Sequence, residues 1–364
     1  MKYLRLDSKN YTTPEQEKEI YFEKENQKEI ITIKEKSPKL KFSKFNEYLQ
    51  ENKNNFFENF EILDMVGFGS ESEVYKARIK NNKREVALKI ISLKEHGMNC
   101  INEINISRKM KNKNVINYYL ASELKKNEMY CIIMEYAKHG NLREFQKNLI
   151  GKDYLSESVL CFLTYQILNG LKYIHLNKIA HMDLKPENII IDDLLNVKII
   201  DFSISIDYKK LSSDTIKLPL RGTSFYMAPE VLRTDTIQVS DLNKVDLFSL
   251  GVVLYRLAFG NFPFGLIKDD SKKYAQILNK INKDFKVVDD DHYYSSHFLD
   301  FISKLIEKDI NKRINIVEAL NHYWVKGAEI LLSQKEQIFN AGNFLGYLVT
   351  DHFKQFDDYI KNHL

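Results

Sequence analysis

The stretch His181-Met182-Asp183-Leu184-Lys185-Pro186-Glu187-Asn188 decides how this chain is read. It runs into the apolar triplet Ile189-Ile190-Ile191, a polar turn at 192–196, and a second apolar run at 197–200 that ends on Asp201. Two short apolar runs about a polar turn read as an antiparallel hairpin, in which the start of the first strand and the end of the second share one end. Asn188 and Asp201 are therefore expected side by side. An amide oxygen and a carboxylate converging there make a hard-oxygen site suited to Mg²⁺, which keeps several waters and completes its shell with phosphate oxygens. Asp183 and Lys185 precede the pair on a short loop, bringing a base and a cation to the same edge.

Upstream, Val86-Ala87-Leu88-Lys89-Ile90 alternates so that Lys89 shares a face with Ala87, opposite Val86, Leu88 and Ile90. A lysine in so apolar a strand needs a reason. It fits an edge strand guarded against aggregation, and it fits equally a lysine held by an acid and aimed at a ligand phosphate. Glu103, in a helix expected near 99–110, is the natural acid. Further back, Val66-Gly67-Phe68-Gly69-Ser70-Glu71-Ser72-Glu73-Val74 lies between two strand candidates. Alone, it reads as a plain hairpin turn or as a flap whose backbone N–H groups cover phosphates.

Around these sites, 60–66, 73–79, 86–92 and 129–136 read as short strands. After Gly140 the period lengthens: Leu160, Leu163, Ile167, Leu171 and Ile174 fall at helical spacing behind Ser156 as N-cap, and 242–259 supplies a second apolar helix. The expected fold class is α+β, a small β-rich lobe with one helix followed by a larger, mainly helical lobe.

Taken together and in order, these segments resemble the eukaryotic protein kinase family of the serine/threonine type, over roughly 60–326. The resemblance extends to Asp201-Phe202-Ser203 in place of DFG, Ala228-Pro229-Glu230 for APE, an aspartate at Asp246 that braces the catalytic loop, and Arg313, matching the arginine that pairs with the APE glutamate. It implies transfer of the γ-phosphate of ATP, with Mg²⁺, to Ser or Thr hydroxyls of protein substrates. Asp183 would orient the attacking hydroxyl and accept its proton, Lys185 would touch the γ-phosphate, Lys89 would hold the α and β phosphates and pair with Glu103, and Asn188 and Asp201 would hold metal. Val66, Gly67, Phe68, Gly69, Val74 and Ala87 would enclose the nucleotide, with Met134 as gatekeeper and Glu135, Tyr136 and Ala137 as the adenine-binding hinge. Lys185 and Thr223 match the serine/threonine branch. Glu187 implies a mild preference for a basic substrate residue, although Asn141 replaces the acidic residue that often supports it.

Three positions depart from the pattern. Ser72 replaces the third flap glycine, and Met182 the arginine before Asp183. Ser203 replaces the DFG glycine, where a positive φ would cost on the order of 1 kcal/mol. They leave a pseudokinase scaffold as the alternative function; a small-molecule kinase fits less well, because Gly222-Thr223 and Ala228-Pro229-Glu230 belong to a peptide-docking loop. Dependence on a phosphate in the activation segment is not expected: Met182 cannot pair with one, the usual acceptor position is Pro219, and Ile206 replaces a basic residue. Leu218 and Leu220 are expected to dock near Met182 instead.

The 364 residues, 44% hydrophobic, suffice for a large core, and 54 Lys+Arg against 50 Asp+Glu give no argument for a nucleic-acid partner. No run approaches the roughly 18 apolar residues of a membrane span, and no signal peptide is visible, so a cytoplasmic location is expected, the nucleus remaining open. Cys100, Cys131 and Cys161 form no ligand pattern, and the nine histidines show no zinc-type spacing. The chain divides into an extension at 1–55 read as mobile, a first lobe and hinge at 56–137, a second lobe at 138–327, and a tail at 328–364 expected to be helical from the stripe Phe353, Phe356, Ile360. Oligomeric state is not legible.

Overall fold

The computed structural model describes residues 18–24, 27–33, 56–68, 72–124, 129–150, 154–265, 273–283, 287 and 293–328. Gly69 of the flap, most of the 1–55 extension and the tail from 329 lie outside these. The chain divides into two units, 1–56 and 57–364. In the first, β1 (Lys18–Lys24) and β2 (Gln27–Ile33) form an antiparallel hairpin.

The second unit opens with β3 (Phe60–Phe68), β4 (Ser72–Ile79), β5 (Glu85–Ser92), β6 (Tyr118–Leu124) and β7 (Met129–Glu135), an antiparallel sheet in the order β3-β4-β5-β7-β6. β5 is central and β-branched-rich, and its middle residues are all buried, as a strand covered on both faces requires. Its one helix, α1, spans Leu93–Ser107, beginning earlier and ending sooner than the expected 99–110.

The larger lobe is built on two long apolar helices, α2 (Glu157–Leu176) and α3 (Leu242–Phe259). Ser156 occupies the N-cap of α2, although its hydroxyl makes no capping bond. Helix α3 is apolar on nearly every face because other elements cover it all round. At Gly251 a methyl group would come within 2.7 Å of Ile306 and 2.8 Å of Leu305, so only glycine lets α3 lie this close to α5 (Ser296–Leu305). The lobe also contains α4 (Lys273–Asn282) and α6 (Ile316–Asn321). Short antiparallel pairs complete it: β8 (Ile179–Ala180) with β11 (Ile206–Asp207), β9 (Ile189–Ile191) with β10 (Val197–Ile199), and β12 (Thr215–Lys217) with β13 (Thr236–Gln238).

At the foot of this lobe, buried Arg313 grips Glu230 with both terminal nitrogens, at 2.6 and 3.0 Å, while also bonding the carbonyls of Glu307 and Lys244. This joins the Ala228-Pro229-Glu230 turn to the chain after α5. Among the described residues no helix is long and apolar enough to cross a membrane.

Candidate active site

The hairpin read from the sequence is formed by β9 and β10, paired Ile189↔Ile199 to Ile191↔Val197. The Ile200 amide donates to the Asn188 carbonyl at 3.0 Å, which puts Asn188 one residue from Asp201. The Asn188 amide nitrogen is turned to Asp183, bonding its carbonyl at 2.9 Å and Oδ2 at 3.1 Å. Its side-chain oxygen is thereby left for another partner.

Asp183 is held from every side. Oδ1 accepts from the Thr223 amide and hydroxyl, both at 2.8 Å, and Oδ2 accepts from Lys185 at 2.6 Å and from Asn188. Lys185 also bonds the Thr223 hydroxyl at 2.8 Å. Gly222 makes this closure possible: its φ is +113°, and a side chain there would sit 2.9 Å from the Met182 carbonyl. Behind the loop, fully buried Asp246 on α3 accepts from the His181 and Met182 amides and pairs with His175, all at 2.8 Å. Burial works to raise the Asp246 carboxyl, yet the bond to His175 and the charges and amides around it hold it below the usual range. These bonds fix Met182 in the left-handed region at φ +69°.

On the sheet, Lys89 reaches both oxygens of Glu103 at 2.8 Å and lies 3.7 Å from Asp201 Oδ1. Of the two readings open for Lys89, the acid-held one is therefore the one realised. Burial disfavours the Lys89 ammonium, but Asp201 and Glu103 outweigh it and hold its pKa above the ordinary value. The Glu103 carboxyl is pushed up by burial, with Lys89 opposing.

Two side chains outside every motif reinforce this pair. The Tyr118 hydroxyl donates to Glu103 at 2.7 Å. Asn102, next to Glu103, sends its amide nitrogen to the carbonyls of Phe202 at 3.2 Å, Ser203 at 3.1 Å and Ser205 at 2.9 Å, tying α1 to the Asp201 segment.

Ser203 is not strained. Its φ is not positive; the left-handed residue is Asp201, at +69°, and its Oδ1 accepts the Ser203 amide at 3.2 Å. Aspartate tolerates that region better than most residues, so the cost assigned to Ser203 from the sequence does not arise. Burial tends to raise the Asp201 carboxyl, but Lys89 and the Ser203 bonds lower it from its ordinary 3.8 to about 2. A carboxyl so depressed stabilises the fold above its unfolded pKa, and that stabilisation is lost as pH falls through about 2. The shift corresponds to roughly 2 kcal/mol. Asp201→Asn is expected to lower stability by about that amount at neutral pH and to converge on the wild type near pH 2. Denaturant midpoints across the range check it; a deficit independent of pH would count against the assignment.

Above the polar edge lies an apolar cluster. In register, Val74 faces Lys89, Lys89 faces Ile132, and Ala87 faces Met134. Ala87, Ile116 and Met134 form a buried cluster against Val74, Tyr118, Tyr136, Ile190 and Ile200. Ile190 and Ile200 line it from the second lobe and carry no motif; the hairpin period was their only signal. Val66 and Phe68 of the flap are exposed, and a methyl at Gly67 would press on Val74 at 3.3 Å. In the hinge, Glu135 is tied to Asn117 at 2.6 Å and Lys198 at 2.9 Å, and Ala137 is buried. Among the described residues no group of three or more His, Cys, Asp or Glu is placed to hold a metal. The oxygens of Asn188 and Asp201 fit an ion that takes the rest of its shell from water and phosphate.

A sheet-rich lobe with a buried lysine–glutamate pair, set over a helical lobe that presents an aspartate-bearing loop, is the architecture of protein kinases. The chain belongs to that family: the protein kinase domain model matches residues 60–325. It is similar to the serine/threonine-protein kinase pakH of Dictyostelium discoideum, 33% identical over 273 residues, covering 74% of this chain and 50% of that protein. The serine/threonine-protein kinase 4 homolog B of the same organism is 30% identical over 282 residues, 76% of this chain and 24% of that one. The MAP kinase kinase MKK1/SSP32 of Saccharomyces cerevisiae is 28% identical over 283 residues, 75% of this chain and 54% of that one. The chain thus spans from a quarter to about half the length of these relatives.

Proposed function

We propose that the chain is an active serine/threonine protein kinase that uses ATP and Mg²⁺. The observation that carries this reading is the presence together of two networks, Glu103–Lys89–Asp201 and Lys185–Asp183–Thr223. A scaffold that signals by shape has no need to keep these charged groups together.

Bound Mg²⁺–ATP would supply the transferable phosphoryl group and neutralise its charge, held by Asn188 and Asp201 with Lys89 on the phosphates. The protein's part is positioning. The lone-pair positions of the Asp183 carboxylate are all filled by Thr223, Lys185 and Asn188. Lys185 is the donor most easily released, being a mobile ammonium on a flexible stem. Its turn toward a phosphate oxygen frees Oδ2 to orient a substrate hydroxyl and take its proton. The amide and hydroxyl of Thr223 keep Oδ1 fixed meanwhile. Thr223 and Lys185, bonded together at this edge, match the serine/threonine branch of the family, which implies serine or threonine as the acceptor. Mass spectrometry of phosphorylated products tests that; mainly phosphotyrosine would refute it.

We infer that the activation segment does not depend on a phosphate, and the bonds that hold it support that reading. β12 pairs with β13, the Leu218 amide donates to Asp235 at 2.9 Å, and Ser205 bonds the His181 carbonyl at 2.9 Å. Leu218 and Met182 are both buried in the core of the second lobe, whereas Leu220 is 40% exposed and lies outside that core. The chain turns outward between them so that Gly222 can close on the Met182 carbonyl. Phosphatase treatment, and Ser212→Ala, Ser213→Ala and Thr215→Ala, are expected to change kcat/KM less than tenfold, about 1.4 kcal/mol. A larger fall would show that a phosphate does order the segment.

A further inference from the structure

The charges beside the Asp183 loop run opposite to what Glu187 alone suggests. Arg143 Nη1 lies 3.5 Å from Glu187 Oε1 and counters its charge. Asn141 is not free to replace it, because its side chain caps the turn Leu142–Phe145, accepting from the Arg143 and Glu144 amides. Arg256, on α3, is a second cation here. Its Nη1 donates to the Tyr226 hydroxyl at 2.8 Å, and its guanidinium lies 4.4 Å from the centre of the Phe262 ring. Among the described residues it pairs with no carboxylate. Phe262 stacks on Phe225 at 4.7 Å, and the Lys273 ammonium lies 5.0 Å from the centre of the Phe225 ring. The result is a ladder of arginine, two stacked rings and lysine.

This ladder adjoins the acceptor position. Thr223 is bonded to Asp183, and Phe225 and Tyr226 follow it by two and three residues, within about 11 Å along the chain. Glu187 follows Lys185 by two. Glu187 and Arg143 are close enough to act on the Tyr226 phenol, which burial first, then Arg256 and these two, set at about 12. Among the described residues, two arginines here stand against one glutamate. A half-buried guanidinium without a counter-charge is costly, and its planar fork matches carboxylate and phosphate oxygens.

We propose that this surface selects substrates bearing an anionic side chain within about three residues of the acceptor, at roughly 3.3 Å per residue, with Arg256 as its anchor. The inference rests on the kinase reading above and specifies its substrate class. Carboxylate and phosphate share the required chemistry.

The test uses peptides identical except for one flanking position, occupied in turn by aspartate, phosphoserine, alanine or lysine, with kcat/KM measured for the full chain. At the best position the aspartate or phosphoserine peptide is expected to exceed the lysine peptide at least tenfold, and Arg256→Glu to reverse the order. Equal rates for aspartate and phosphoserine identify a carboxylate site; a large excess for phosphoserine identifies a phosphate site. Arg143→Ala, which uncovers Glu187, is expected to weaken the preference even if Arg256→Glu does not fold. A wild type that prefers lysine, or an acidic preference untouched in both variants, overturns the proposal. Should no peptide be phosphorylated, the kinase reading fails by itself. Fluorescence anisotropy of the same peptides then decides the inference, tenfold tighter binding of the acidic peptides supporting it and equal or weaker binding overturning it.

Discussion

Asp183→Asn is expected to lower phosphoryl transfer by a factor of about 10² to 10⁴, the range for loss of a positioned general base, while leaving the fold intact. The carboxylate accepts from three side chains and one amide, and every partner is a donor. An asparagine in the same place turns one acceptor into a donor, so whichever way it faces it meets Lys185 and Asn188 or Thr223 with a donor–donor clash. Proton acceptance and aim are lost together. Lys89→Met should be as damaging by another route, because it removes the cation between Glu103 and Asp201 and leaves Glu103 buried with only the Tyr118 hydroxyl. Single-turnover transfer measured beside thermal melting separates chemistry from folding. Full activity in folded Asp183→Asn protein would remove the role assigned here.

The largest effect on stability is expected at Glu230→Ala, at about 3–5 kcal/mol, the cost of leaving one member of a buried ion pair unpartnered. Arg313 is fully enclosed, and after the change its guanidinium would keep only the carbonyls of Glu307 and Lys244. Those dipoles compensate poorly for a lost bidentate carboxylate. The α3 and α5 ends and the docking loop share this anchor, so weaker substrate binding should accompany the loss. Denaturant unfolding with an unchanged slope measures it, and a change below about 1 kcal/mol would show the pair to be dispensable.

Legibility followed sequence distance. The loop and hairpin from His181 to Asp201 are continuous, so residue types and a single turn predicted their juxtaposition. Lys89 and Glu103 were readable because a lone lysine in an apolar strand needs an acid. Arg313 and Glu230, far apart in the chain, came from the family resemblance; local patterning could not have joined them. Tyr118 and Asn102 escaped because a tyrosine in a strand and an asparagine in a helix have ordinary uses, and only the packing of α1 on β6 and the Asp201 segment gives them partners. Ser203 departs from expectation because the positive φ, expected at the motif's glycine position, falls in this chain on Asp201. Arg256 lay unnoticed in an apolar helix, its meaning fixed only when α3 brought it under Tyr226.

The initial rate of γ-phosphate transfer from ATP, with Mg²⁺, to a mixed pool of serine- and threonine-containing peptides, measured beside Asp201→Asn, tests the kinase assignment most directly. Turnover is expected within the roughly 1 to 100 per second of kinases on a suitable peptide, with at least about a hundredfold loss in the variant, near the lower bound for a single essential group. A folded wild-type chain whose transfer does not exceed that of Asp201→Asn would contradict that assignment.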